Sequence, residues 1–399
     1  MINKTPFHER LEQLNTTHRW GHWSGYLSAL KYVMSPKHEY FAVRNSAGFF
    51  DTSPLYKFRI AGRDSERLLA GVMTRDIRAC RPGRAQYTVW CDDRGFVLED
   101  GVVFRHSATD FLLTAAEPNL GYLTDLIGRL DVTIEDVTDE FGMLAVQGPR
   151  SREILGTVAA GVERLAYFEH TDSKIGNVPV TISRTGYTGD LGYEVRVGRD
   201  EALGVLDAVM DAGQGHGFRP FGEEALLMTR IEAGLVLINV EFSSSRFAYT
   251  DHDRITPKEL GFGWMLKGIE DDDRPFIGRK AIRRELAQKA SRWATVGLVL
   301  DWADYDRVYN EAGLIPPKDE TPLAYESMLY DDDGERVGYA TSLMYSPMLQ
   351  RHIAMARVRP PLATPGARVN LELTINHRYE PVLAEITRLP FFNPPRKTA

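Results

Sequence analysis

The sequence predicts an α+β protein of mostly antiparallel sheets, ending in a separate β-rich part. From Gly48 onward, short strand-like runs alternate with one helix-like run at a time. From Trp293 to the end, composition shifts to strand formers and prolines with no convincing long helix. At 399 residues the chain also exceeds what one hydrophobic core organises, so two or three domains are expected.

Taken in order, Phe58-Arg59-Ile60-Ala61-Gly62 reads as a strand, and Asp64-Ser65 can cap a helix whose Leu68, Leu69 and Val72 recur at helical spacing. Residues 86–91, 96–105 and 111–115 are strands separated by short polar turns, which predicts an antiparallel meander. A second unit opens at Met143-Leu144-Ala145-Val146, stops at Gln147-Gly148-Pro149 and enters a helix from Ser151. Residues 178–182 and 193–197 are strands around a glycine-bearing turn, and 201–212 is a helix closed by Gly213-Gln214-Gly215-His216-Gly217. Those glycines follow a helix, whereas a dinucleotide fingerprint needs a preceding strand, so helix exit is the better account. The helix 223–234 carries Leu226, Leu227, Ile231 and Leu235 on one face, and a charged helix follows Phe276-Ile277-Gly278-Arg279-Lys280. In the tail, Asp331-Asp332-Asp333-Gly334 lies between strand-like runs and reads as a hairpin tip; the tail as a whole reads as an all-β barrel or jelly-roll.

Composition excludes several classes. No segment approaches the ~20 apolar residues that span a bilayer, so no membrane association is expected. The polar start Met1-Ile2-Asn3-Lys4-Thr5-Pro6 leads into no apolar signal region, so the cytoplasm is the expected location. Net charge is −7 with both signs interspersed, apart from the acidic runs Glu270-Asp271-Asp272-Asp273 and 331–333, and no basic block suits nucleic acid. Cys80 and Cys91 form no disulfide framework or zinc spacing. His18 and His22, spaced i, i+4 beside Trp20 and Trp23, would suit a helical metal pair, but no third ligand lies nearby in sequence and no metal is expected. Neither a Gly-x-Ser-x-Gly elbow nor a phosphate loop occurs, which removes the usual anchors of hydrolases and NTPases.

The strongest local signal is Arg184-Thr185-Gly186-Tyr187-Thr188-Gly189-Asp190-Leu191-Gly192-Tyr193-Glu194. It reads either as a hairpin loop with a surface glutamate or as a turn that brings Tyr187 and Glu194 to a common space. In the second reading, Glu194 accepts paired hydrogen bonds from an amino-heterocycle such as a pterin. In Phe96-Val97-Leu98-Glu99-Asp100-Gly101-Val102, two acids interrupt an apolar strand, and alternation sends them to opposite faces. They are either a solvated pair or, with Asp100 in a cleft, a carboxylate that stabilises a cation and steers a proton. Tyr87 on the preceding strand is either packing or a platform for a ring-shaped ligand. Arg230, in an apolar helix, reads first as an internal partner of a carboxylate.

Ala47-Gly48-Phe49-Phe50-Asp51-Thr52-Ser53, Leu144-Ala145-Val146-Gln147-Gly148-Pro149, the run from Arg184 through Glu194, Arg230-Ile231-Glu232-Ala233-Gly234, Phe276-Ile277-Gly278-Arg279, and Thr341-Ser342 with Tyr345-Ser346-Pro347 through Ala354-Met355-Ala356-Arg357-Val358 occur together in one order. In that order they resemble the glycine cleavage T-protein (aminomethyltransferase) family over nearly the whole chain. The resemblance implies a three-lobed cloverleaf with tetrahydrofolate in a central channel. It implies a first lobe from 1–57 plus 140–275, an inserted second lobe at 58–139, and a C-terminal lobe at 276–399. Carried over, Asp100 matches the catalytic aspartate, Tyr87 a folate-contacting tyrosine and Glu194 the pterin-binding glutamate; Tyr187, Thr114, Arg230 and, as a weaker match, Arg378 complete the implied cofactor contacts.

The departures bear on the donor. Glu99-Asp100 stands where T-proteins show two aspartates, Thr114 where they have an asparagine, and Leu226 where they have an arginine; Trp20-Gly21-His22-Trp23 also differs. The implied function is tetrahydrofolate-dependent one-carbon transfer from a small methyl or aminomethyl donor, with a lipoyl carrier protein as partner in the aminomethyl case. The alternatives are a folate-dependent demethylase of a sulfonium, O-methyl or N-methyl compound, or a non-catalytic folate-binding module. The folate-binding iron–sulfur assembly factors that share the fold carry a Lys-Gly-Cys-Tyr-type segment, and neither cysteine sits in one. A further alternative is a detached C-terminal part of a flavin amine dehydrogenase, acting with a partner.

Overall fold

Two neighbouring strands of one sheet, Gly48–Asp51 and Phe141–Gln147, are separated in sequence by all the strands of a second sheet. The computed structural model describes residues 2–271, 273–318, 321–324 and 326–399; Met1 and Asp272 of the segments noted above lie outside these. The first sheet runs His170–Ile175, Val178–Ser183, Gly192–Gly198, Phe141–Gln147, Gly48–Asp51 and Arg219–Pro220, antiparallel except for the last pair. Its inward apolar residues Leu144, Val146, Ile182 and Val195 bury against Leu155 of helix Ser151–Val158 and Val205, Leu206 and Val209 of helix Ala202–Ala212.

The second sheet runs Arg84–Cys91, Val97–Arg105, Asp110–Ala115, Tyr56–Ala61 and Thr133–Asp136, all antiparallel, so the expected meander is present. Helix Ser65–Val72 packs Leu68, Leu69 and Val72 on one face of it. The expected Asp64 cap is absent: its carboxylate accepts the Asp131 N–H at 3.0 Å, and the Ser65 hydroxyl bonds the Gly62 carbonyl at 2.8 Å.

The tail closes into a six-strand barrel, Ala294–Leu300, Arg351–Val358, Arg336–Ser346, Ser327–Tyr330, Arg368–Ile375 and Arg378–Thr387. It is not free of helix: Trp302–Glu311 lies against it, capped where Asp301 accepts the Asp304 N–H at 2.9 Å. This helix buries only Tyr305 and Val308, and its many polar residues hide the periodicity.

The largest apolar cluster joins all three units. Val43 and Phe50, Val89 and Val97, and Met344 and Ile353 meet around helix Glu223–Glu232. That helix buries Ala225, Met228 and Ile231; of the expected face Ile231 is buried, whereas Leu226, Leu227 and Leu235 are only half-buried. His22 lies on the strand Trp20–Trp23 and His18 has a φ of 52° in a loop, so they share no helix. Among the described residues, no helix is long and apolar enough to cross a membrane, and no group of three or more His, Cys, Asp or Glu is placed to hold a metal ion.

Candidate active site

The glycine run is shaped by a residue nearly forty positions earlier. Gln147 donates to the carbonyls of Thr185 at 3.2 Å and Tyr193 at 3.1 Å, and accepts from the Thr188 hydroxyl at 2.9 Å. A Cβ on Gly186 or Gly192 would lie 2.0 or 2.3 Å from the Gln147 amide, so only glycine fits against it. Gly189, at φ +75°, packs on Ala233 in the same way, and thereby joins the loop to the end of helix Glu223–Glu232. Beneath it Arg44 pairs with Glu232 at 2.7 Å and donates to the Thr188 carbonyl at 2.8 Å. Motifs far apart in sequence therefore form one packed support for Tyr187 and Glu194.

Glu194 is half-buried; the Thr185 hydroxyl donates to its Oε2, and among the described residues Oε1 makes no hydrogen bond. Burial pushes its carboxyl above the ordinary range, opposed by Thr185 and then by the positive charge of Lys57. Lys57 is fully buried, donates to the carbonyls of Ser53 at 2.8 Å and Leu55 at 2.7 Å, and is lowered by burial to about 7. The sequence places the strand from Phe58, whereas it begins at Tyr56 and includes Lys57, a residue outside the expected set.

Register places Lys57 opposite Thr114, Thr114 opposite Val102, and Val102 opposite Tyr87, one row across a single face of the second sheet. Asp100 shares this face, and the Tyr87 hydroxyl donates to its Oδ2 at 2.8 Å. Burial raises the Asp100 carboxyl to about 6, with the Tyr87 bond acting in the opposite sense. Tyr87 itself is half-buried and meets Phe262 edge-on, ring centroids 5.6 Å apart. Thr114 is buried, its hydroxyl 3.4 Å from the Val102 carbonyl.

Glu99 points the other way. It accepts the N–H groups of Ala116 at 2.8 Å and Glu117 at 2.9 Å and the Asn119 amide at 2.6 Å, which ties down the turn after Asp110–Ala115. The Tyr187 hydroxyl donates to the Val236 carbonyl; burial raises its pKa, nearby Arg230 opposes this, and Glu241 and Asp100 add to it, so it borders the same space.

Two expected cofactor contacts take other positions. Arg230 is fully buried, paired with Glu241 at 2.7 Å and bonded to Ser342 at 3.0 Å, the internal pairing that an arginine in an apolar helix calls for. It stands behind Tyr187 and holds helix to barrel. Arg378 is exposed beside the turn Asn376-His377, at the start of the ten-residue strand Arg378–Thr387. The far end of that strand leads to Leu389, which packs on Gly234; the strand's length, roughly 30 Å, separates Arg378 from the junction of the units.

Two mostly antiparallel sheets with helices and a closed six-strand barrel make this an α+β architecture of the aminomethyltransferase type. The chain belongs to the glycine cleavage T-protein family: residues 7–268 match the GCVT N-terminal domain and 312–393 the glycine cleavage T-protein C-terminal barrel domain. It is 32% identical over 395 residues to an aminomethyltransferase of Streptomyces coelicolor, covering 96% of this chain and 97% of that one. It is 34% identical over 393 residues to trimethylamine-oxide aldolase of Ruegeria pomeroyi, covering 95% of this chain but 46% of that protein, so it spans less than half of that relative. The aminomethyltransferase T of the Bartonella henselae glycine cleavage system shares the fold, with a TM-score of 0.82 over 98% of this chain and 99% of that chain at 22% identity.

Proposed function

We propose that the protein binds reduced folate along the Lys57–Tyr87 row and transfers a one-carbon unit, methyl or aminomethyl, to or from it. The observation that carries this reading is the Tyr87–Asp100 bond, on a sheet face near Tyr187 of the glycine loop, which leads into the strand bearing Glu194. The residues fit such a ligand: Glu194 has Oε1 available to accept a ring N–H, and Oε2 can accept an exocyclic amine beside the Thr185 hydroxyl. Reduced folate, when bound, supplies the nucleophilic nitrogen that carries the one-carbon unit.

In this reading Glu194 orients the pterin, Tyr87 packs its ring against the ligand, and Thr114 floors the row. Asp100, with a carboxyl near 6, is mostly ionised at neutral pH and stabilises positive charge on the donor. Its modest basicity also lets Oδ1 take up a proton while Oδ2 keeps the Tyr87 bond. Positioning of two reactants supplies much of the rate. We assign the lobes as 1–57 with 140–275, 58–139, and 276–399.

The donor has two readings. Family membership supports an aminomethyl donor on a lipoyl carrier protein. Similarity to a trimethylamine-oxide aldolase, with Leu226 and Glu99 in the positions noted above, supports a methylated amine or related compound. Anaerobic assays with tetrahydrofolate and each donor, with product folates separated by chromatography, test both. Absence of folate binding together with absence of any folate product sinks the proposal.

A further inference from the structure

The second sheet has an edge whose charges the proposed chemistry does not use. Arg84–Cys91 is its outer strand, and residues 74 and 75 run alongside: the Thr74 N–H donates to the Val89 carbonyl at 2.9 Å and the Arg75 N–H to the Thr88 hydroxyl at 3.2 Å. A cavity of about 200 Å³ opens there, and its wall includes Arg75, Asp76, Trp264, Lys267, Arg274 and Phe276.

Three cations face one carboxylate in that wall, and the carboxylate is occupied. Asp76 pairs with Arg78 at 2.9 Å and with Arg274 at 3.9 Å. Arg75 lies over the Trp264 ring at 5.2 Å and donates to the Tyr87 carbonyl at 3.4 Å; among the described residues no carboxylate pairs with it. It is half-buried, a costly setting for a cation without an anion. Lys267 is exposed at the rim.

A chain of packed rings links the candidate site to the cavity wall. Tyr87 meets Phe262 edge-on at 5.6 Å, and Phe262 meets Trp264 edge-on at 6.5 Å. The row from Lys57 to Tyr87 crosses three strand spacings, roughly 14 Å, from the side where Lys57 acts on Glu194 to this edge. A ligand anchored at Glu194 and laid along the row reaches the edge strand with its other end.

We propose that this cavity holds the carboxylates of the glutamyl tail of reduced folate, with Arg75 and Lys267 as their partners and Trp264 packed against the aryl linker. The proposal rests on the folate reading above. It makes the edge of the second sheet an anion subsite and explains an arginine that would otherwise be stranded.

The test compares two probes by anaerobic calorimetry: tetrahydrofolate, and 6-methyltetrahydropterin, which lacks the tail. Arg75→Met is expected to weaken tetrahydrofolate about 10- to 100-fold, the loss of a charge-assisted bond, and to leave the pterin within about twofold. Lys267→Met, at an exposed position that leaves the fold undisturbed, is expected to weaken tetrahydrofolate alone, by about threefold or more. Unchanged tetrahydrofolate affinity in both variants, or equal loss for the two probes, overturns the subsite. Equal affinity of the unaltered protein for both probes overturns the subsite while the folate reading stands; binding of neither probe overturns both.

Discussion

The Tyr87 hydroxyl reaches diagonally across paired strands to Oδ2 of Asp100 at 2.8 Å, and this contact offsets part of what burial does to the carboxyl. A hydrogen bond to the charged form favours that form. Tyr87→Phe removes the donor, so the Asp100 carboxyl climbs further above 6. The acidic limb of kcat/KM against pH is then expected to move up by about one unit. A limb that stays in place would show that another group is titrating.

Asp100 also makes a stability prediction. Its carboxyl rises from 3.8 to about 6 on folding, so the unfolded chain ionises first as pH increases. The resulting destabilisation is absent below 3.8, grows through the interval, and is complete above 6, on the order of 3 kcal/mol. Asp100→Asn is therefore expected to be more stable than the parent at pH 8, with a gap roughly half as large at pH 5, while turnover falls about 100-fold or more. Urea melts at the two pH values read the first effect, and a gap independent of pH would exclude it.

Substitution of the neighbouring acid is expected to lower stability, although burial raises its carboxyl too, to about 8, because the donors bonded to it lose their acceptor. Glu99 is almost fully buried and receives three donors, from Ala116, Glu117 and Asn119. Glu99→Ala leaves those donors unpaired and is expected to cost about 2–3 kcal/mol of stability, with kcat/KM at a permissive temperature within about threefold of the parent. Thermal melts and kinetics on one preparation check this; normal melting with lost turnover would bring Glu99 into the chemistry.

The contrast between these two acids was legible in the sequence, because alternation along a strand depends only on local geometry. The meander, the helix exit at Gly213 and the closing of the tail into strands were legible for the same reason. Side-chain partners were not. Nothing near Arg230 in sequence announces Glu241, which lies beyond the helix end, and no pattern in residues 53–57 shows that the Lys57 ammonium folds back onto the carbonyls of Ser53 and Leu55. The exposed place of Arg378 at the start of its strand was not legible either, because sequence position cannot say which end of a barrel strand faces the other units. The helix Trp302–Glu311 was hidden by having only two buried residues.

Glu194 carries the prediction for binding. With Oε2 held by Thr185 and Oε1 making no hydrogen bond among the described residues, its role as a ligand acceptor is separable from folding. Glu194→Ala is expected to weaken reduced folate by about 2–3 kcal/mol, and to weaken a tail-less pterin equally, since both present the same ring edge. Calorimetry with both probes decides it, and unchanged affinity would put the pterin elsewhere.

The glycine loop allows a test by rescue. A Cβ on Gly186 would sit 2.0 Å from the Gln147 amide oxygen, so Gly186→Ala must displace Gln147. That displacement loosens its bonds to Thr185, Thr188 and Tyr193, and the Thr185 hydroxyl is what orients Glu194. Overpacking of this kind is expected to cost about 1–3 kcal/mol of stability and to weaken reduced folate in the same variant. Adding Gln147→Ala removes the obstructing amide, so the double variant is expected to be more stable than the sum of the two single losses. Additive losses in the melting data would mean that Gln147 does not shape the loop.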